Sequence, residues 1–187
     1  GDRESAADAF MWTCSVSSYK DMEINIWDRI IAFEGRMHEF IKAAYDYQDN
    51  TFHSHPGYYI DYFEMRLAQL QVLHNLHYEI KKIRKMPKQA LVIADYIMYM
   101  ADYVVEMNIP DQQIEKLEEI SEQMKQEELP KTREEFEGRA LLYHILMDLE
   151  EFLVYKKRFV NGLDEKKLRI YWKQEMEQKD SANELQK

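Results

Sequence analysis

Apolar residues recur along this chain at three-and-four spacing, the period of a helix buried on one side. From Met22 to Tyr47 they fall at Ile24, Trp27, Ile31, Phe40, Ile41 and Ala44, which predicts a first helix. Asp49-Asn50-Thr51 and His55-Pro56-Gly57 end it, because proline has no amide donor and Gly and Asn tolerate turn conformations. A second helix is predicted from Tyr58 to Lys85. Pro87 marks the next boundary, and a third helix runs from Lys88 to Met107 until Asn108 and Pro110 stop it. Asp95 and Asp102 share one side of this otherwise Leu-, Val-, Ile- and Met-rich stretch, which reads as a central core helix. A fourth helix, Asp111 to Gln126 with Asp111 as its cap, carries Ile114, Leu117, Ile120 and Met124 on one stripe. Asn161-Gly162 is a stop signal, Asp164 a cap candidate, and Glu165 to Lys179 the last helix.

The fifth helix has the clearest start. Thr132 and Glu135 fit the Thr-x-x-Glu capping box, in which two side chains satisfy backbone donors left open at a helix N-terminus. Its apolar face is wide: Leu142, Ile145, Leu146, Leu149, Phe152 and Leu153 stand beside Phe136, Tyr143 and Met147. Arg133 with Glu137, and Glu135 with Arg139, become neighbours on this helix, each pair contributing about 0.2–0.5 kcal/mol if exposed. The fold expected is therefore all-α, a bundle of about six helices, mostly antiparallel. Residues 1–20 form a linker or short docking helix, 21–180 a single bundle domain, and 181–187 a frayed tail. No internal repeat is visible.

Composition narrows the function. The 187 residues are 45% hydrophobic with only 5 Gly and 4 Pro, enough for one sizeable core built from long helices. A formal charge of −10 opposes nucleic acid, whose phosphates need a basic surface. The single cysteine, Cys14, reads as a small apolar residue in a reducing compartment. No run of about 18 apolar residues lacks charge, so nothing here spans a bilayer by itself. The opening Gly1 suggests a processed or engineered start.

Catalytic signatures are scarce. Histidines invite a metal, but the ferritin-like pattern needs Glu-x-x-His repeats and none occurs; His53, His55, His74 and His77 read as ordinary exposed or hydrogen-bonded side chains. There is no nucleophile elbow, and the glycines are too scattered for a phosphate loop. No cofactor and no metal ligand set is expected. In the second helix, Tyr59, Phe63 and Arg66 share a face, with Tyr62 beside them, so Arg66 needs a partner: Glu135 or Glu137 across a helix interface. In the functional version of this reading, Arg66 and Arg139 hold a small aromatic carboxylate among Tyr59 and Tyr62. Lys81, Lys82, Arg84, Lys85 and Lys88 form the one dense basic run, suited either to the helix dipole or to anionic lipid headgroups.

Leu129, Pro130, Thr132 to Glu137, Arg139 and Ala140 form an LPxTREEFExRA motif that resembles the soluble C-terminal domain of the aromatic acid exporter family. Tyr62, Phe63, Met65, Arg66 and Gln69 resemble the second helix of that domain, and Ala44 to Asn50 is a weaker match. The resemblance implies a cytosolic helical domain following a membrane-spanning half of the same polypeptide, on the cytoplasmic side of the cell membrane. The expected function is then a non-enzymatic accessory domain for assembly, gating or substrate sensing, with self-association as an added use of the wide apolar face. A module binding small aromatic carboxylates is the alternative, and a metal-dependent bundle enzyme the third reading.

Overall fold

The structure, a computed structural model, describes residues 20–50, 56–83 and 87–172. Within them the fold is all-α, with helices α1 (Lys20–Asn50), α2 (Pro56–Lys82), α3 (Ala90–Ala101), α4 (Asp111–Lys125), α5 (Arg133–Asn161) and α6 (Glu165–Tyr171). Cys14, His53, His55, Arg84 and Lys85 lie outside the described residues.

Successive helices alternate in direction. Trp27 meets His74 with ring centroids 4.3 Å apart and Phe40 stacks on Phe63 at 5.4 Å, so α1 runs antiparallel to α2. Tyr58 packs on Phe159 and Gln69 bonds the Phe152 carbonyl, which makes α5 antiparallel to α2. Asp111 pairs with Lys157 at 3.0 Å while Arg139 approaches Glu127 at 3.8 Å, fixing α4 against α5 in the same sense. The upper end of the bundle thus gathers the start of α1, the end of α2, the start of α3, the end of α4 and the start of α5. The chain of packing places α2 in the middle, with α1 on one side and α5 on the other.

Three seams of residues alternating three and four apart hold this arrangement. On α2 the seam is Tyr58, Tyr62, Met65, Gln69, Val72 and Leu76; on α5 it is Leu142, Ile145, Leu149, Phe152, Lys156 and Phe159. Val72 and Leu76 of α2 and Leu142, Ile145, Leu149 and Phe152 of α5 meet Ile93, Tyr96, Ile97 and Met100 of α3 and Leu117, Ile120 and Met124 of α4 in one core, while Tyr58, Met65 and Phe159 join Leu163 and Trp172 in a second cluster. The seam of α1 is Trp27, Ile30, Glu34, Met37, Ile41 and Ala44, so the expected stripe departs at two places: Ile31 is 49% and Phe40 41% exposed, and Ile30 and Met37 are buried instead. The reason is the narrowness of a seam facing a single helix, which admits two positions per heptad rather than three.

The boundaries are close to those expected, with two corrections. The third helix stops at Ala101, not Met107, because residues 102–110 form an irregular connection that Glu106 ties to other helices. Asp111 is not the cap of α4: Pro110 occupies that position, and Asp111 lies inside the first turn, where its carboxylate faces the positive end of the helix dipole and takes Lys157. Thr132 does cap α5, accepting from the Glu135 amide at 3.1 Å, while Glu135 reaches back to the Lys131 amide at 2.8 Å, one residue further than the standard box. Asp164 caps α6 through the Lys167 amide at 2.7 Å. Asn161 ends α5, and the last described helix closes at Tyr171.

Candidate functional site

The polar residues that break the apolar seams converge at one level of the bundle. Gln69, buried on α2, donates to the Phe152 carbonyl at 2.8 Å and accepts from Arg66 at 2.8 Å. Arg66 also donates to the Tyr62 hydroxyl at 3.1 Å and lies 5.1 Å from the centre of the Tyr62 ring. Lys156, buried on α5, donates to the Glu106 main-chain carbonyl and sits among the rings of Phe159, Trp172 and Tyr62 at 5.3, 5.5 and 5.9 Å. Tyr58, fully buried, accepts from the Trp172 indole at 3.0 Å and donates to the Glu106 carboxylate at 2.8 Å. Burial, with the Glu106 carboxylate adding to it, pushes the Tyr58 hydroxyl far above the usual tyrosine range despite the Trp172 bond. One loop residue, Glu106, is therefore clamped by α2 and α5 together.

Between this cluster and the 102–110 connection lies a cavity of about 10 Å³, lined by Arg66, Gln69, Tyr103, Val105, Phe152 and Lys156 among others. That is room for roughly one water molecule. Across the cavity, buried Gln113 takes the Asn108 amide at 3.2 Å and donates to Tyr99 at 3.3 Å, and its carbonyl accepts from the Tyr96 hydroxyl at 2.6 Å. The polar groups around the cavity are thus largely engaged with one another.

The expected partnership of Arg66 with Glu135 or Glu137 does not form. Arg66 sits at the level of Phe152 on α5, and 15 residues of helix separate that level from Glu137, roughly 22 Å. Its partners are Tyr62 and Gln69, and it makes no ion pair among the described residues. Glu137 pairs at the surface with Arg133 at 3.0 Å. Arg139, with a side chain 14% exposed, takes Glu135 at 3.4 Å, Glu127 at 3.8 Å and the Glu128 carbonyl, while its Nε is buried without a hydrogen-bond partner. The charged start of α5 therefore clips that helix to the α4–α5 connection, not to α2. Tyr59 is half exposed and packs on Tyr171. Lys81, Lys82 and Lys88 are all exposed. His74 packs on Trp27, His77 is buried, and no group of three His, Cys, Asp or Glu among the described residues is placed to hold a metal ion.

Residues 14–157 match the family described as "Putative aromatic acid exporter C-terminal domain". The chain belongs to that family. A curated relative, "Uncharacterized protein YqjA" of Bacillus subtilis (strain 168), is 32% identical over 98 residues, covering 52% of this chain and 30% of the relative's length. The chain thus spans about a third of the relative it matches. A crystal structure described as a "putative membrane protein" from Clostridium difficile 630 superposes with a TM-score of 0.69 at 23% identity, over 84% of this chain and 93% of that one, and shares the fold. No helix among the described residues is long and apolar enough to cross a membrane.

In this member of the family, the sequence singles out Arg66, Tyr62 and the capped start of α5, and Gln69 only as part of the second-helix motif, but gives no role to Tyr58, Gln69, Glu106, Lys156 or Trp172. Two of these had a readable signal. Gln69 and Lys156 are polar residues standing on otherwise apolar seams, the pattern of a buried side chain that must find a partner. Glu106 and Trp172 come from a connection and a helix end, where no periodicity announces burial.

Proposed function

We propose that this chain is a non-catalytic accessory domain of a membrane protein of the aromatic acid exporter family. It stands on the cytoplasmic side of the cell membrane and serves assembly, gating or substrate sensing for the membrane-spanning half. The observation that carries this reading is the family match over residues 14–157, on a domain whose buried polar groups serve to tie helices together. The test compares the full-length protein with a version lacking this domain, for membrane insertion, oligomeric state in detergent and efflux of an aromatic acid. Insertion is expected to persist while assembly or efflux falls; unchanged assembly and efflux would overturn the reading.

A second reading, a module binding an aromatic carboxylate, draws support from Arg66 and Lys156 lining one cavity. Room for about one water does not admit a benzoate-sized acid unless the 102–110 connection moves. Calorimetry with benzoate-like acids tests it, and absence of heat leaves the assembly role.

A further inference from the structure

The upper end of the bundle differs in chemistry from the rest of an acidic chain. Lys81 and Lys82 close α2, and the α2 dipole alone accounts for them, since cations are favoured at a helix C-terminus. It does not account for Lys88, which precedes α3, or for Lys131 and Arg133, which flank the start of α5. Those three stand at helix N-termini, where the dipole opposes a positive charge. Five carboxylates nearby are engaged, Glu79 with Lys82 at 2.7 Å, Glu128 with Lys131 at 3.2 Å, Glu137 with Arg133 at 3.0 Å, and Glu127 and Glu135 with Arg139 at 3.8 and 3.4 Å, while Glu134 is exposed in the first turn of α5, where the helix dipole favours it.

The same end also carries exposed apolar side chains. Leu129 is 85% and Leu91 70% exposed, and with Phe136 and Tyr78 they make four of the five most exposed large hydrophobics among the described residues. The hydrogen bond from Gln89 to Glu127 joins the connection before α3 to the one before α5, so Leu91 and Leu129, each two residues further along the chain, stand at the same end of the bundle. Register puts the start of α1 here too, because Trp27 packs on His74 and His77 in the last third of α2. The polypeptide ahead of α1 therefore joins the bundle at this end.

We propose that the upper end of the bundle, through Lys81, Lys82, Lys88, Leu91 and Leu129, rests on an anionic lipid surface. The proposal builds on the accessory-domain reading and adds which end faces the bilayer and through which residues. Cations adjoining protruding leucines match a charged headgroup layer over hydrocarbon, and the point where α1 begins lies on the same side as the membrane-spanning half it would follow. The opposite end, where Asp111 starts α4 and α6 packs, would face away.

The test is co-sedimentation of the 187-residue chain with phosphatidylcholine vesicles, with and without phosphatidylglycerol. Binding is expected only with the anionic lipid and is expected to weaken with added salt. Lys81→Glu/Lys82→Glu/Lys88→Glu should lower partitioning by at least about tenfold. Leu91→Ser/Leu129→Ser, which removes no charge and no buried group, should also lower it. Lys166→Glu/Arg169→Glu, at the other end, should leave it unchanged. Absence of binding to anionic vesicles, or an equal loss from reversals at either end, overturns the proposal. Absence of lipid binding alongside lost assembly in the domain deletion would leave the accessory role standing without the lipid contact, so the two failures separate.

Discussion

Gln69 on α2 donates its side-chain amide to the main-chain carbonyl of Phe152 on α5 at 2.8 Å, from a buried position in the α2–α5 interface. The same side chain accepts from Arg66, so it couples an interhelical contact to a half-buried cation. Gln69→Leu keeps the volume but leaves the Arg66 guanidinium short of an acceptor and the carbonyl short of a donor. A loss of about 1–3 kcal/mol is expected, the usual cost of orphaning buried polar groups. Urea unfolding checks it, and a neutral result would show that the seam tolerates hydrocarbon at this level.

Tyr58 is the hub of the lower end. Its hydroxyl satisfies the buried Trp172 indole and holds Glu106, so Tyr58→Phe removes both bonds with no change of ring packing. About 1–3 kcal/mol should be lost. The more specific expectation is local: amide hydrogen exchange should quicken in residues 102–110 and α6 before the α2–α5 core responds. Uniform quickening across the bundle would mean that Glu106 is not what holds the connection.

How much of this was legible beforehand divides along physical lines. Helix class and number follow from periodicity, which acts over long segments, and Thr132 and Asp164 announced their caps because capping is local chemistry. The end of α3 at Ala101 was hidden, because Met107 and the residues before it read as helix until the Glu106 contacts to Tyr58 and Lys156 are known. Arg66, expected to pair with Glu135 or Glu137, bonds Tyr62 and Gln69 instead. Charge complementarity says nothing about register, and Tyr62 and Gln69 on the same helix serve a guanidinium as hydrogen-bond acceptors.

The start of α5 offers a pH-dependent test. The Lys131 amide, and after it Arg139, hold the Glu135 carboxyl below its usual 4.5. A folded value below the unfolded one contributes stability that is complete above about 4.5 and disappears as pH falls through the lowered value. Glu135→Gln should therefore be less stable than the parent at neutral pH, with the difference shrinking on acidification. Thr132→Ala should cost about 0.5–2 kcal/mol at every pH, because a hydroxyl cap does not titrate. Unfolding curves of both variants across the acid range distinguish a charge effect from simple loss of the cap.

Asp148 on α5 carries the opposite sign. Burial first, then Glu151 and Glu79, raise its carboxyl above the usual 3.8, with His144 opposing. The folded state thus holds the proton more tightly than the unfolded one, so stability falls as pH rises from 3.8 through the raised value and stays lower beyond it. Asp148→Asn removes the charge and should stabilise the domain at neutral pH by about 0.2–0.5 kcal/mol, the size of a relieved like-charge helix pair. The gain should vanish well below 3.8, where the parent is protonated in both states. A gain that persists unchanged into acid would assign it to hydrogen bonding by the new amide rather than to the lost charge.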